Sequence, residues 1–154
     1  MIEGTSINYT GRKVDLSLFP SIANSGIRVA AGVSSNPKAV AGLSMMAQNF
    51  ARILLTPMGT YRGDPKMGTN FFNKLSSRSM QYPSDIKQAF LIESGRVLEY
   101  MHDAVTAATP LDEQVGSVSL GNVDLGSTSV SLRIDLVSKA GNSVFFLLPV
   151  NWTI

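Results

Sequence analysis

Apolar side chains recur at helical spacing in two stretches of the chain and alternate with polar ones in its last third. The first stretch follows Asn36 and Pro37, residue types that suit the cap and the first position of a helix. Thr56 precedes Pro57 and is thereby disfavoured in the helical conformation. We therefore predict a helix over 37–55. Its apolar stripe consists of Val40, Leu43, Ala47, Phe50 and Leu54.

A second helix is predicted to start near Ser84 or Asp85 and to end at Thr109-Pro110. Between the two helices lies a predicted loop over 56–82 that is rich in Gly and Pro. Connections of this length are uncommon unless they carry a function. The apolar face of the second helix consists of Ile86, Phe90, Val97, Met101 and Val105.

The remaining third has the pattern of β-structure. The run 130–136 alternates apolar and polar residues as a half-buried strand does, and 118–125 alternates with an interruption at Gly121-Asn122. Ala140-Gly141-Asn142 is typical of a hairpin turn. The run 144–148 is apolar without alternation, so both of its faces must be covered.

These patterns predict an α+β fold in one domain spanning 1–154, as the length of 154 residues also favours. Two long helices would pack on a small C-terminal antiparallel β meander, with a short N-terminal β/loop segment. We divide the domain into an arm (1–34), a helical body (35–110) and the meander (111–154). Within the arm, short strands are predicted over 14–18, ending at Pro20, and over 27–29.

Composition and charge narrow the classes of protein. The chain has no cysteine, which excludes a disulfide scaffold and a thiolate metal site. Residues 1–82 carry nine Lys/Arg and three Asp/Glu, net +6, whereas 83–154 carry four and eight, net −4. Such asymmetry suits contacts in an assembly, although a solvated surface with uneven charge is the alternative. We expect neither a signal peptide nor a membrane span, because no apolar run reaches about 18 residues.

A motif lies at the end of the first helix. Ile53-Leu54-Leu55-Thr56 is followed by Pro57-Met58-Gly59, and Pro65 and Gly68 stand six and nine residues after Gly59. This resembles the baseplate wedge (sheath initiator) family of contractile phage tails, which has relatives in type VI secretion baseplates. The succession of loop, second long helix and β meander is also similar to that family.

Two positions depart from the family pattern. The family usually has Glu-Arg after the first Gly, where this chain has Thr60-Tyr61 and then Arg62. Its Glu-Pro-Arg after the second helix is replaced by Leu111–Val115, in which at most the Glu is kept, as Glu113.

The resemblance implies a structural baseplate subunit of the virion, assembled in the host cytoplasm, that starts sheath polymerisation by strand exchange. The meander would present an open sheet edge at 144–148, to which a sheath strand adds. It implies tail sheath and wedge proteins as partners, tail tube or hub proteins as further ones, and six copies around the tail. We expect no catalytic residue, cofactor or metal, and no nucleic-acid or membrane partner. The strand-exchange residues would be Val130, Leu132, Ile134, Leu136, Val144, Phe145, Phe146, Leu147 and Leu148. The wedge-docking residues would be Thr56, Pro57, Gly59, Arg62, Pro65, Gly68 and Glu113.

Two other functions stay open at this point. Relatives have carried a lysozyme-like label, and a peptidoglycan hydrolase needs two carboxyl groups facing each other across a cleft. A small nucleic-acid-binding protein needs cations interleaved with aromatic side chains. The hydrolase candidates are Asp85, Glu93, Glu99 and Asp103, with His102 as the single histidine. The nucleic-acid candidates are Arg62, Lys66, Lys74 and Arg78 with Tyr61, Phe71, Phe72 and Tyr82.

Overall fold

The computed structural model describes residues 41–152 in full and, before them, the backbone of four short strands. These strands are β1 (Asp15–Leu16), β2 (Ser21–Ile22), β3 (Gly26–Arg28) and β4 (Ala39–Val40). The helices are α1 (Gly42–Leu55), α2 (Phe71–Ser76) and α3 (Pro83–Asp103), followed by a 3₁₀ turn at Leu111–Glu113. The last strands are β5 (Val115–Leu125), β6 (Ser129–Ser138) and β7 (Ser143–Asn151).

The described residues form a mixed helix and sheet fold, as predicted. β5, β6 and β7 are antiparallel neighbours, joined by turns at Gly126 and Gly141. β3 pairs with the other side of β7 in parallel, and β2 pairs with β3, so the sheet order is β2-β3-β7-β6-β5. β1 and β4 form a separate antiparallel pair. The hairpin predicted at 140–142 is confirmed, with Gly141 at a φ of +87°.

The helices cover one face of the sheet. α1 lies over β6 and β7, and α3 lies over β5. α1 is apolar around most of its circumference, which fits a helix packed between other elements. Its Phe50 ring lies 6.2 Å from the Phe146 ring of β7, and both side chains are fully buried. The core therefore lies between α1 and strands β6 and β7.

The interruption predicted at Gly121-Asn122 is a β-bulge rather than a strand end. Leu120 pairs with Ile134 and Val123 pairs with Leu132, so the register shifts between the two pairs. The extra residue lets Leu120 and Val123 both face the helices, which a strict two-residue alternation forbids. One continuous strand therefore keeps its apolar side inward.

Several predicted boundaries are wrong. α1 begins at Gly42 and not at Pro37, because Ala39–Val40 is paired as β4; Asn36 and Pro37 lie outside the described residues. α3 ends at Asp103, and 104–110 turns back toward the sheet. The predicted loop over 56–82 contains α2, whose six residues are too few for a periodic pattern to be recognised.

α2 is attached to its neighbours at both ends. At its start, the buried Glu93 carboxylate of α3 accepts hydrogen bonds from the Lys74 ammonium at 3.1 Å and from the Asn70 N–H at 3.5 Å. At its end, Trp152 Nε1 donates to the carbonyl of Leu75 at 3.0 Å. These hydrogen bonds connect α2 with α3 and with the end of β7, so they fix the position of α2.

Candidate functional site: a docking loop and a sheet edge

The segment Thr56–Gly68, here called the docking loop, is closed at its base by the residue that follows it. The Thr69 N–H donates to the carbonyl of Thr56 at 2.8 Å, and the Met58 N–H donates to the carbonyl of Thr69 at 3.2 Å. The Thr69 hydroxyl donates to the carbonyl of Leu54 at 2.6 Å. These bonds join both ends of the docking loop to the last turn of α1.

The position of Gly68, nine residues after Gly59 in the motif, has a structural reason. Its φ is +109°, and a Cβ at this position would lie 2.5 Å from the carbonyl oxygen of Thr56. Both the backbone conformation and the close approach require glycine. Gly59 also has a positive φ, +80°, but a Cβ there would meet no atom within 4 Å. The two glycines thus allow a tight loop for different reasons.

The tip of the docking loop is tied to α3 through Asp64. The Tyr100 hydroxyl donates to Asp64 Oδ2 at 2.7 Å, and the Lys66 N–H donates to Asp64 Oδ1 at 3.0 Å. The hydrogen bond from Tyr100 lowers the pKa of the Asp64 carboxyl and raises the pKa of the Tyr100 hydroxyl. The bond to Tyr100 holds the loop on the helix while its tip stays exposed.

The seven predicted wedge-docking residues divide by exposure. Gly59, Arg62 and Pro65 are exposed at the tip, and Thr56 and Pro57 are half-buried at the base. Gly68 is buried and shapes the loop from within. The seventh, Glu113, lies elsewhere, in the 3₁₀ turn before β5.

Glu113 has a role inside the chain that sequence reasoning missed. Its Oε1 accepts a hydrogen bond at 3.0 Å from the N–H of Gly42, the first residue of α1. The residue before α1, Ala41, has no side chain with which to cap it. The sequence pattern placed the cap at Asn36, so no local signal pointed to a distant acceptor for the start of α1.

The predicted strand-exchange residues lie on β6 and β7, and neither strand has the open edge that we expected. β6 is paired on both sides. β7 is paired with β6 on one side and, at Phe145, Phe146 and Leu147, with β3 on the other. The expectation of an open β7 edge is therefore wrong, because a strand from the first 34 residues occupies that position.

The two faces of β7 are covered differently. Val144, Phe146 and Leu148 are buried beneath the helices. On the opposite face Phe145 is half-buried, and the Arg133 guanidinium lies 4.2 Å from the centre of its ring. An intramolecular cation–π contact thus covers part of this second face.

The longest strand, β5, lies at one edge of the described sheet, and the two-residue β2 lies at the other. β5 has 11 residues, and within the described residues β6 is its only strand neighbour. Its helix-facing side chains remain half-buried, among them Val118 and Leu120. A groove of about 410 Å³ runs between α3 and the start of β5, with Leu98, Met101 and Val115 among its lining residues. This edge was not singled out by the sequence pattern.

Exposed basic and apolar side chains occur together at the docking loop and on the two helices beside it. The Arg96 guanidinium lies 3.9 Å from the sulfur of Met58, and Arg52 is exposed on the last turn of α1. Arg62, which follows Tyr61 in the sequence, and Lys66 are exposed in the loop. Arg52, Arg62, Lys66 and Arg96 together with Met58 and Tyr61 are called the basic face below.

The carboxyl groups considered for a hydrolase are spread along α3, with Asp85 on its first turn. Glu99, His102 and Asp103 are exposed on the last turns of α3. Glu93 is buried and bonded to α2. In the part of the chain that is described, no three His, Cys, Asp or Glu side chains lie together as a metal site would need.

Half of the cations considered for nucleic-acid binding are engaged within the chain. Lys74 pairs with buried Glu93. Arg78 lies 4.8 Å from the centre of the Trp152 ring and donates to the carbonyl of Ser127 at 2.9 Å. Phe71 is a core residue, so the proposed alternation of cations and stacking rings is not presented on one surface.

Comparison of the chain with protein-family models, with curated proteins and with solved structures found no match. Within the described residues, no helix has the combination of length and apolar character that crossing a membrane requires.

Proposed function

We propose that this protein is a structural subunit of a contractile-tail baseplate, which starts the sheath by accepting a strand from the first sheath ring. The observation that carries this proposal is the open edge of β5, 11 residues long in the described part of the sheet. The sequence motif around the docking loop supports the same assignment, as does the order of helices and C-terminal meander.

A strand edge recognises a partner through its main chain. Unpaired N–H and C=O groups along an edge bind an extended segment, and side-chain alternation then fixes the register. At β5 the helix-facing Val118 and Leu120 are half-buried, and Leu98 and Met101 of α3 are half-buried beside Val115 at the start of the strand. An added strand would complete this apolar layer, which favours β-augmentation over a side-chain contact alone.

The acceptor in this proposal is β5 and not β7. A strand adding to β7 would have to displace β3 from three pairs with Phe145, Phe146 and Leu147. A strand adding to β5 displaces no described strand. The two bulges in β5 leave Ser117–Leu120 as a regular stretch, and this stretch is the proposed site of pairing.

The docking loop has the second role in the proposal. Its base is fixed to α1 and its tip to Tyr100, so it presents one shape to a neighbour before binding. Preorganisation of this kind reduces the entropy lost on association. We propose that the loop docks the subunit on the wedge proteins while β5 faces the sheath.

The experiment places charges on the inward side of the acceptor strand. The double variant Val118→Lys with Leu120→Lys is introduced into the tail-producing system, and sheaths are measured by electron microscopy. An inward-pointing lysine at a sheet edge blocks strand addition, so we expect baseplates with tubes but without extended sheath. Ser117→Lys with Ser119→Lys is the matched control, because these side chains lie on the opposite face of the same strand.

Thermal unfolding of the purified variants separates a blocked edge from a misfolded protein. If the inward variant is folded and sheaths still reach normal length and number, strand addition at β5 is refuted. If both variants abolish the sheath equally, the edge does not distinguish its faces and the proposed register is wrong.

A further inference from the structure

The basic face has the composition of a protein interface. Tyr61 and Met58 are 54% and 38% exposed, which is high for large apolar side chains beside a well-packed core. Tyrosine, methionine and arginine are enriched in interfaces, and aromatic and arginine residues dominate binding energy there. Exposed Tyr61 and Met58 together with Arg52, Arg62 and Arg96 match that composition.

The charge of this surface is unbalanced. Its cations come from three elements: Arg52 from α1, Arg62 and Lys66 from the docking loop, and Arg96 from α3. Asp64 stays charged when it accepts from the neutral Tyr100 hydroxyl, and Glu93 pairs with Lys74 at 3.1 Å and with Arg96 at 4.0 Å, so the cations still outnumber these two carboxylates. The complement of the basic face is therefore a surface that carries carboxylates around an apolar patch.

From this geometry we infer that the basic face binds an acidic surface on a neighbouring protein subunit, with Tyr61 and Met58 packed at the centre of the contact. This inference rests on the proposed assembly role, because it places the neighbour in the same particle. It adds the chemistry of the partner, which the sequence motif does not give.

A protein partner is favoured over a nucleic acid. A nucleic-acid strand needs a track of cations along its backbone, with aromatic faces on which bases stack. Here the cations belong to three separate elements, and the Asp64 carboxylate lies between Arg62 and Lys66 in the loop. Lys74 and Arg78, which would extend a track, are bound to Glu93 and Trp152.

The test uses tails assembled with the full chain carrying a photo-cross-linking phenylalanine derivative in place of Tyr61. After irradiation of purified tails, the adduct is identified by mass spectrometry. We expect a peptide rich in Asp and Glu from another tail protein. Arg62→Glu with Lys66→Glu in the same chain is expected to lower the yield about tenfold or more. Lys87→Glu, on the first turns of α3 outside the basic face, is the matched control and is expected to leave the yield unchanged.

Each other outcome overturns the inference. An adduct with nucleic acid, or with a neutral or basic peptide, identifies a different partner chemistry. No adduct in tails that contain the variant means that position 61 faces solvent. Equal losses with Lys87→Glu show that the effect is not local. Absence of the chain from purified tails refutes the proposed function as well, so the two failures are distinguishable.

Discussion

The carboxylate of Glu113 accepts a hydrogen bond at 3.0 Å from the N–H of Gly42, 71 residues earlier in the chain. The first N–H groups of a helix have no partner within the helix, and a negative charge there also interacts well with the helix dipole. Glu113 thus caps α1 from the turn that leads into β5. The bond couples the central helix to the strand that we propose as the sheath acceptor.

Glu113→Ala removes this cap. We expect the free energy of unfolding to fall by about 1–2 kcal/mol, as for other lost N-terminal caps. Urea unfolding followed by circular dichroism measures the change. Glu99→Ala, at an exposed position on α3, is the control and should leave the midpoint within experimental error. An unchanged midpoint for Glu113→Ala would mean that water caps α1 equally well.

Substitutions of three glycines should separate backbone conformation from steric contact. The Cβ of Gly59→Ala would meet no atom within 4 Å, but the alanine would have to keep a φ of +80°. We therefore expect the free energy of unfolding to fall by about 1 kcal/mol. Gly68→Ala adds a contact of 2.5 Å with the carbonyl oxygen of Thr56, and we expect at least about 2 kcal/mol. Gly95 lies inside α3, and a Cβ there would meet no atom within 4 Å. Gly95→Ala should therefore raise the free energy of unfolding by about 0.5–1 kcal/mol. Chemical denaturation of the three variants gives the order, and a Gly68 variant as stable as the Gly59 variant would contradict the close approach.

The bond between Tyr100 and Asp64 predicts a particular dependence on pH. The pKa of Asp64 is lowered below its ordinary 3.8, so its contribution to stability is full above that value and is lost as the pH falls through the folded pKa. The pKa of Tyr100 is raised above its ordinary 10.0, so its contribution is full below that value and is lost as the pH rises through the folded pKa.

The variant Tyr100→Phe tests both the acid and the alkaline part of this pH dependence. The difference in stability between the wild type and this variant should be constant at intermediate pH and shrink at both extremes. Thermal unfolding across the pH range measures it, with exposed Tyr61→Phe as the control that keeps the wild-type profile. A difference that does not depend on pH would show that the phenol acts only by packing.

The ion pair between Lys74 and Glu93 is asymmetric in burial. The Glu93 side chain is 3% exposed and the Lys74 side chain 43%. Lys74→Ala leaves a buried carboxylate short of its best partner, so we expect a loss of about 1–3 kcal/mol. Glu93→Gln leaves an exposed ammonium that water can solvate and keeps an acceptor for the Asn70 N–H, so its loss should be smaller. Urea midpoints of the two variants decide the order, and the reverse order would contradict this account.

The sequence predicted those features that depend on neighbours along the chain. The Thr56-Pro57 step ends α1 because a residue before proline is excluded from helix, and Gly141 turns the last hairpin because the turn needs a positive φ. The alternation of β6 placed its apolar side on the core. The positions of Gly59 and Gly68 in a tight loop were predicted in the same way.

Other features were settled only by contacts between distant segments. No local pattern shows that Gly26–Arg28 pairs with β7 or that Glu113 caps α1. Nor does one show that Lys74 forms an ion pair with the buried Glu93. The apolar run 144–148 showed that both faces of the strand needed cover, but not which segments supply it.

By itself, then, the sequence determined the order of the two long helices and the C-terminal strands, because backbone conformation and side-chain periodicity are local properties. It did not determine α2 or the start of α1. Only the tertiary structure decided which edge of the sheet stays open. That outcome depends on which distant segments form hydrogen bonds with each other. β3 pairs with β7, whereas the outer side of β5 has no strand partner in the described part of the chain.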